Sequence, residues 1–279
     1  MNELTSDNGD GVLERGLAER LRRVTPLILT YNESPNIART LESLRWAERV
    51  VIVDSGSTDD TEQLAKSYPN VCWHVRPFDC YREQWQYGIS NTEIGTDYVL
   101  ALDADMVMPE IFVRELGDKF LSHDFKGGIV PFKYLIMGRA LSGSVLTPQL
   151  RLFNRREVEV GQDGHKHQFR VGNNVYRFKA PLLHDDRKPL ERWISSQLSY
   201  SRLEAEKLRS GTPTRWRDQV RSFGLMPPIA AALAYIRAGG PFRGKAAARY
   251  AYERATYECL LAIRLQSDSN RDGQDEEKR

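Results

Sequence analysis

The sequence predicts an α/β fold built on a doubly wound, mainly parallel sheet. Three observations predict it. Short apolar runs alternate with helical stretches across residues 25–121. The runs are apolar throughout rather than every second residue, as in strands covered on both faces. Three of them end in polar clusters, "TYNE" (30–33), "DSGSTD" (54–59) and "DAD" (103–105). A parallel sheet brings such ends to one rim, where open α/β sheets bind ligands.

Each element has its own signal. "TPLILTY" (25–31) reads as a buried strand, and "SPNIARTLESL" (34–44) as a helix with Ser34 as N-cap and Pro35 in its first turn. "RVVIVD" (49–54) is a second strand. "STDDTEQLAKSY" (57–68) is a helix capped by Ser57, with acids in its first turn. "VCWHV" (71–75), "YREQWQYGISN" (81–91), "DYVLALD" (97–103) and "PEIFVRELGDKFL" (109–121) continue the alternation of strand and helix. Beyond residue 125 the pattern changes. "GGIVPFKYLI" (127–136), "QLRLF" (149–153) and "NVYRFKAPLLH" (174–184) read as strands of a mixed extension. From Pro189 onward the reading is helical: 190–208, 223–236 and 243–266.

Composition narrows the classes. The chain has 279 residues, 41% hydrophobic and 28% charged, with a net charge of +2, which reads as globular. Three widely spaced cysteines argue against a disulfide framework or a four-cysteine zinc site and suit a reducing cytosolic compartment. The first 22 residues read as a disordered polar leader without a signal-peptide core, and 267–279 as a disordered tail. No stretch has the roughly 18 uninterrupted apolar residues of a membrane span.

The rim carries the chemistry. Asp103 and Asp105, at i and i+2 past a strand, either converge on one hard cation with a substrate diphosphate or cap the following helix. Asp54 either accepts a hydrogen bond from a base or ribose or serves its turn. A G-x-G-x-x-G after the first strand is missing, as is a G-x-x-x-x-G-K-[ST] loop, so dinucleotide and P-loop readings fall away.

"LILTYNESPNIARTLESL", "VVIVDSGSTDDT" and "YVLALDADM" together resemble the family-2 glycosyltransferases of the GT-A fold, nearest to bacterial enzymes that decorate lipopolysaccharide core or related surface glycans. The resemblance is clear over 25–109 and continues through "QLRLFNRR" and "APLLHDDRKPLERW" to about residue 200. It implies a metal-dependent, inverting hexosyltransferase with a DXD motif. The donor would be a nucleotide sugar, most simply a UDP-sugar, with Mn²⁺ or Mg²⁺ as cofactor. Thr30, Tyr31 and Glu33 would line the nucleotide pocket beside a base-reading Asp54. Asp103 would face ribose and diphosphate, Asp105 would hold the metal, and His184 would supply a further metal or diphosphate contact. The family's glutamine–arginine–asparagine run on the helix 81–91 is represented here by Gln84, followed by Trp85 and Gln86. Where such enzymes carry a histidine–glutamate pair, this chain reads "GQDGHKHQF" (161–169). Asp163 is the nearest carboxylate for the base that an inverting transfer needs, with Glu159 behind it. His165 and His167 are candidates for phosphate or acceptor contact.

Between Arg187 and Arg254 stand 14 Lys or Arg against 5 Asp or Glu, with tryptophans and tyrosines interleaved. No nucleic-acid motif accompanies them. Basic and aromatic residues flanking short apolar helices suit either an anionic membrane surface or packing within the protein. The expected organisation is a leader (1–22), a GT-A catalytic domain (23–186), a helical, membrane-surface-associated appendage (187–266) and a tail (267–279). The expected location is the cytoplasmic, inner face of the membrane, with a glycan or lipid-linked acceptor. A polyprenyl-phosphate glycosyltransferase and a catalytically silent sugar-nucleotide-binding scaffold are the alternatives.

Overall fold

The structure, a computed structural model, describes residues 8–163, 166–210, 219–221 and 224–276. It divides into two compact units: residues 1–132, 147–162 and 167–186, and residues 133–146, 163–166 and 187–279.

The first unit holds a seven-stranded sheet. Its parallel part is β1 (Val24–Thr30), β2 (Val50–Asp54), β3 (Val71–Val75) and β4 (Tyr98–Asp103), side by side in the order β4-β1-β2-β3 with β3 at the edge. β9 (Gln149–Asn154) runs antiparallel between β4 and β6 (Gly127–Val130), and β12 (Val175–Arg177) closes the far edge parallel to β6. The apolar runs are explained by the two sides of this sheet. Ile28, Ile52, Leu100 and Leu102 enter one core with Leu41, Phe112, Phe120 and Phe178. Leu27, Val51, Val53 and Val99 enter the other with Trp85, Ile89, Phe153 and Phe169. Neighbours along each strand thus serve opposite cores, and a polar residue at either parity would be buried.

The connecting helices are α2 (Ile37–Glu42), α3 (Thr61–Lys66), α4 (Tyr81–Ser90) and α5 (Glu110–Glu115). Two begin later than their sequences suggest. Ser34 and Ser57 do not cap them: the Ser34 N–H donates to Asp59, and the Ser57 hydroxyl donates to Asp54 in its own turn and accepts from the Asn32 N–H. Residues 8–21, expected as a disordered leader, form the helix α1 (Asn8–Leu21). Leu17 and Leu21 pack on the first core, and Arg20 donates to the Gly117 carbonyl at 2.8 Å. Here α5 gives way to a wide π-type turn, Leu116–Phe120, instead of one helix to residue 121. A Cβ on Gly117 would come within 2.1 Å of Leu17 Cδ1, so glycine is what lets α1 approach.

A two-stranded ladder pairs β5 (Met106–Val107) with β13 (Leu182–His184), setting His184 opposite Met106. Remaining strands are β7 (Phe132–Ile136), β8 (Arg139–Ala140), β10 (Glu159–Asp163) and β11 (Lys166–Arg170).

The second unit is mainly helical: α6 (Leu190–Ser210), α7 (Met226–Ala238) and α8 (Lys245–Glu276). The described part of α8 thus runs through residues 267–276, expected as tail. Met226, Ala230, Ala234 and Ala238 are the buried residues of α7, and Ala234 and Ala238 share a core with Ala246, Ala247 and Tyr250 of α8. Ala205 of α6 packs with Tyr257 and Leu261. Arg221 binds both oxygens of the buried Glu258 and reaches Glu204, tying α6 to α8. Gly239 ends α7 at φ 106°, and a Cβ there would meet Ser142 Oγ at 2.5 Å.

Candidate active site

Register places the rim. Thr30 pairs with Asp54 and Leu29 with Asp103, so β1 and β2 end level and β4 ends one residue earlier. The β4/β1 junction is also where strand order reverses, the switch point at which doubly wound sheets bind nucleotides.

On one side of that junction lies a loop assembly from "TYNE" and "DSGSTD". Asp54 is buried and accepts from the Thr30 hydroxyl (3.0 Å), the Gly56 N–H (2.8 Å), the Ser57 N–H (2.7 Å) and the Ser57 hydroxyl. These donors fall two to each oxygen and occupy the carboxylate's acceptor sites. Asp54 therefore organises the loop in this structure. Asn32, at φ 55°, accepts from the Thr58 N–H at 2.6 Å, and the Glu33 N–H donates to the Thr61 hydroxyl at 2.7 Å. Asp59 accepts from Thr61 and Ser34. Burial pushes its carboxyl up, but these hydrogen bonds together outweigh burial and hold it below the usual carboxylate range. Tyr31 stands exposed at the mouth, and Glu33 is half-buried, its carboxylate accepting from Asn36 at 2.9 Å.

Gln84 is placed beneath the rim rather than on it. It is fully buried, donating to Ser55 Oγ (3.0 Å) and the Arg76 carbonyl (2.9 Å) and accepting from the Arg76 guanidinium. Any influence on a nucleotide passes through those two residues. Hydrogen bonding to Asp79 pushes the Arg76 pKa further up, and the same contact holds the Asp79 carboxyl well below the usual range.

The other side of the junction is built by four strands, β4, β9, β5 and β13. Asp103, at the end of β4, receives both guanidinium nitrogens of Arg151 on β9, at 3.1 and 3.3 Å. The Arg151 side chain is 5% exposed, and its guanidinium lies over the Phe132 ring. The β5–β13 ladder brings His184 to Asp105: Nε2 and Oδ2 are 3.8 Å apart, with the side chains 15% and 9% exposed. The Asp185 N–H donates to the Asp105 carbonyl at 3.0 Å, and Arg39 braces Asp185 through its carboxylate (3.3 Å) and carbonyl (2.8 Å). Asn36 reaches Asp186 at 3.1 Å. The run "LLHDD" is thus held by β5 and the two-aspartate turn at Leu183–Asp185, and by Arg39 and Asn36 at Asp185 and Asp186.

This donor set suits a divalent cation. A carboxylate and an imidazole face each other with little solvent between them, and Mn²⁺ takes both ligand types. Among the described residues no group of three His, Cys, Asp or Glu is arranged to hold a metal. Two such donors would leave the remaining positions of a cation to a diphosphate and water.

Asp163 is the last residue of β10, and its side chain lies outside the described part, as do residue 165 and the side chain of His167. Sequence reasoning missed Arg151, Arg39 and Asp185. Arg151 had a signal: a lone charge inside the apolar run "QLRLF" implies a buried partner.

A doubly wound sheet with a two-aspartate turn at its switch point defines a nucleotide-dependent enzyme class. Residues 27–181 match the family model described as Glycosyl transferase family 2, and the chain belongs to that family, the glycosyltransferases expected from its motifs. It is 26% identical over 253 residues, 87% of this chain and 91% of the relative, to the lipopolysaccharide core biosynthesis glycosyltransferase LpsC of Rhizobium meliloti (strain 1021). It is 30% identical over 142 residues, 49% of this chain and 48% of the relative, to an uncharacterized glycosyltransferase of Rickettsia typhi. Among solved structures, S. aureus TarS 1-349 in complex with UDP-GlcNAc aligns over 90% of this chain and 92% of that one, with 14% identity and a TM-score of 0.46.

Proposed function

We propose that this glycosyltransferase moves a hexose from a UDP-sugar, with inversion, to a glycan or lipid-linked acceptor in lipopolysaccharide or surface-polysaccharide synthesis. Its Mn²⁺ or Mg²⁺ would be held by Asp105 and His184. The observation that carries the reading is the convergence of Asp103, Asp105 and His184 at the β4/β1 switch point. The relatedness to LpsC supports the surface-glycan assignment. The UDP preference rests on the motif resemblance. An acceptor of this kind places the enzyme at the cytoplasmic face of the membrane, and the basic helical unit suits an anionic surface.

The chain's own groups then divide the work. Thr30, Tyr31, Glu33 and the loop organised by Asp54 and Asp59 seat the nucleoside. Asp103, fixed by Arg151, accepts from the ribose and keeps one orientation at the diphosphate. When bound, the divalent cation neutralises charge on the departing nucleoside diphosphate. Asp163 takes the acceptor's proton as the acceptor oxygen attacks C1 from the side opposite the leaving group. The C1–O bond to the diphosphate breaks, the electron pair leaves with the phosphate, and the anomeric configuration inverts.

Calorimetry of UDP binding tests this. Binding in Mn²⁺ that disappears in EDTA, and that Asp105→Ala abolishes, is the expected result. Equal affinity with and without the cation would sink the metal role. Asp163→Asn should spare that binding and remove transfer.

A further inference from the structure

Helix α7 is sorted inside out. Past Met226 in its first turn, its buried positions are Ala230, Ala234 and Ala238, which carry small side chains. The larger apolar residues Leu225, Ile229, Leu233 and Ile236, spaced four, four and three apart, share another face and are exposed, Ile236 at 70%. A helix docked only for stability buries its leucines and isoleucines. Just beyond its end, the turn Gly239–Gly240–Pro241 presents Phe242, 96% exposed. Arg237 and Lys245 are exposed on either side of Phe242, with the half-buried Arg243 beside it. From residue 219 to 252 the chain carries no Asp or Glu. Among the described residues, no helix is long and apolar enough to cross a membrane.

We propose that this face inserts into the interfacial layer of an anionic lipid bilayer: Phe242 and Ile236 enter the acyl boundary, while Arg237, Arg243 and Lys245 meet lipid phosphates. Such division of an apolar stripe and a cationic rim is the pattern of an interfacial helix. A second copy of the chain is a poorer occupant. A two-fold contact through this face would set the same cations against themselves without a carboxylate in the segment to receive them. The proposal rests on the membrane placement given above and names the surface responsible.

The test uses the full chain and vesicles of phosphatidylcholine with or without phosphatidylglycerol. Phe242→Trp should add emission that shifts to the blue with phosphatidylglycerol vesicles and is quenched by brominated acyl chains. Phe242→Ser combined with Ile236→Ser should lower vesicle partitioning by about tenfold or more, and Arg237→Gln with Lys245→Gln should remove its dependence on phosphatidylglycerol. UDP binding in Mn²⁺ should be unchanged in all of these variants, which separates this surface from the donor site. Co-sedimentation of Phe242→Trp without any shift in the added emission would overturn insertion by this face while leaving the membrane placement standing. No co-sedimentation at low salt would overturn both. A wild-type dimer dissolved by Phe242→Ser would overturn the lipid assignment in favour of self-association.

Discussion

Arg151 grips Asp103 with two guanidinium nitrogens from a strand antiparallel to the one Asp103 ends. The two partners differ in solvation: the Arg151 side chain is 5% exposed and that of Asp103 41%. Removing the arginine leaves a carboxylate that water can reach. Removing the aspartate leaves a buried cation facing no carboxylate.

The first prediction follows from that asymmetry. Asp103→Ala should destabilise the protein by about 3 kcal/mol, the lower end for breaking a buried pair. Arg151→Met should cost only about 1 kcal/mol, since methionine can still cover Phe132. Yet Arg151→Met should depress transfer, because Asp103 loses its fixed orientation. Urea unfolding gives the order of the two variants, and the reverse order would refute the picture of a buried guanidinium dependent on Asp103.

A second prediction concerns His184. His184→Ala should weaken Mn²⁺ binding to the UDP-saturated protein by at least about tenfold, a loss seen even for residues that only support a metal ligand. Titrating Mn²⁺ calorimetrically into that complex measures it. Unchanged affinity would reduce His184 to a packing partner of Asp105.

The third is a pH dependence. Burial raises the Asp59 carboxyl, but hydrogen bonds from Thr61 and Ser34 outweigh it, leaving the folded value below 3.8. A depressed carboxylate contributes stability at pH values above its unfolded pKa, and that contribution disappears as pH falls through the folded value. Asp59→Asn should therefore flatten the loss of stability as pH falls below the usual carboxylate range, read from urea midpoints at successively lower pH. An acid limb identical to wild type would show that the loop does not titrate through Asp59.

Legibility in the sequence follows the range of the interactions. The apolar runs "LILT", "VVIVD" and "VLAL" name their strands because both sheet faces are covered, and the two-aspartate turn is visible because it is contiguous. Sequence misleads on capping at Ser34 and Ser57 because each meets a partner on the facing loop, Asp59 and Asn32. The helix α1 is invisible in it because Leu17 and Leu21 find their core only where Gly117 opens the opposing turn. The meeting of His184 with Asp105 depends on the β5–β13 ladder, and that of Arg151 with Asp103 on β9 pairing antiparallel beside β4. No local pattern encodes either pairing.

The strand ends, level to within one residue, also make the sheet a ruler. Asp54 and Asp103 stand on strands separated only by β1, and parallel neighbours repeat at about 4.8 Å, so their backbones are about 10 Å apart. Amide hydrogen bonds fix that interval, and no side-chain exchange can stretch it. On the proposed function, the span of ligand between the loop organised by Asp54 and the charged cluster at Asp103 is thereby a constant of the backbone. Evolution of a new sugar preference must work on segments off the sheet, while the gauge for what lies between those two carboxylates stays the same.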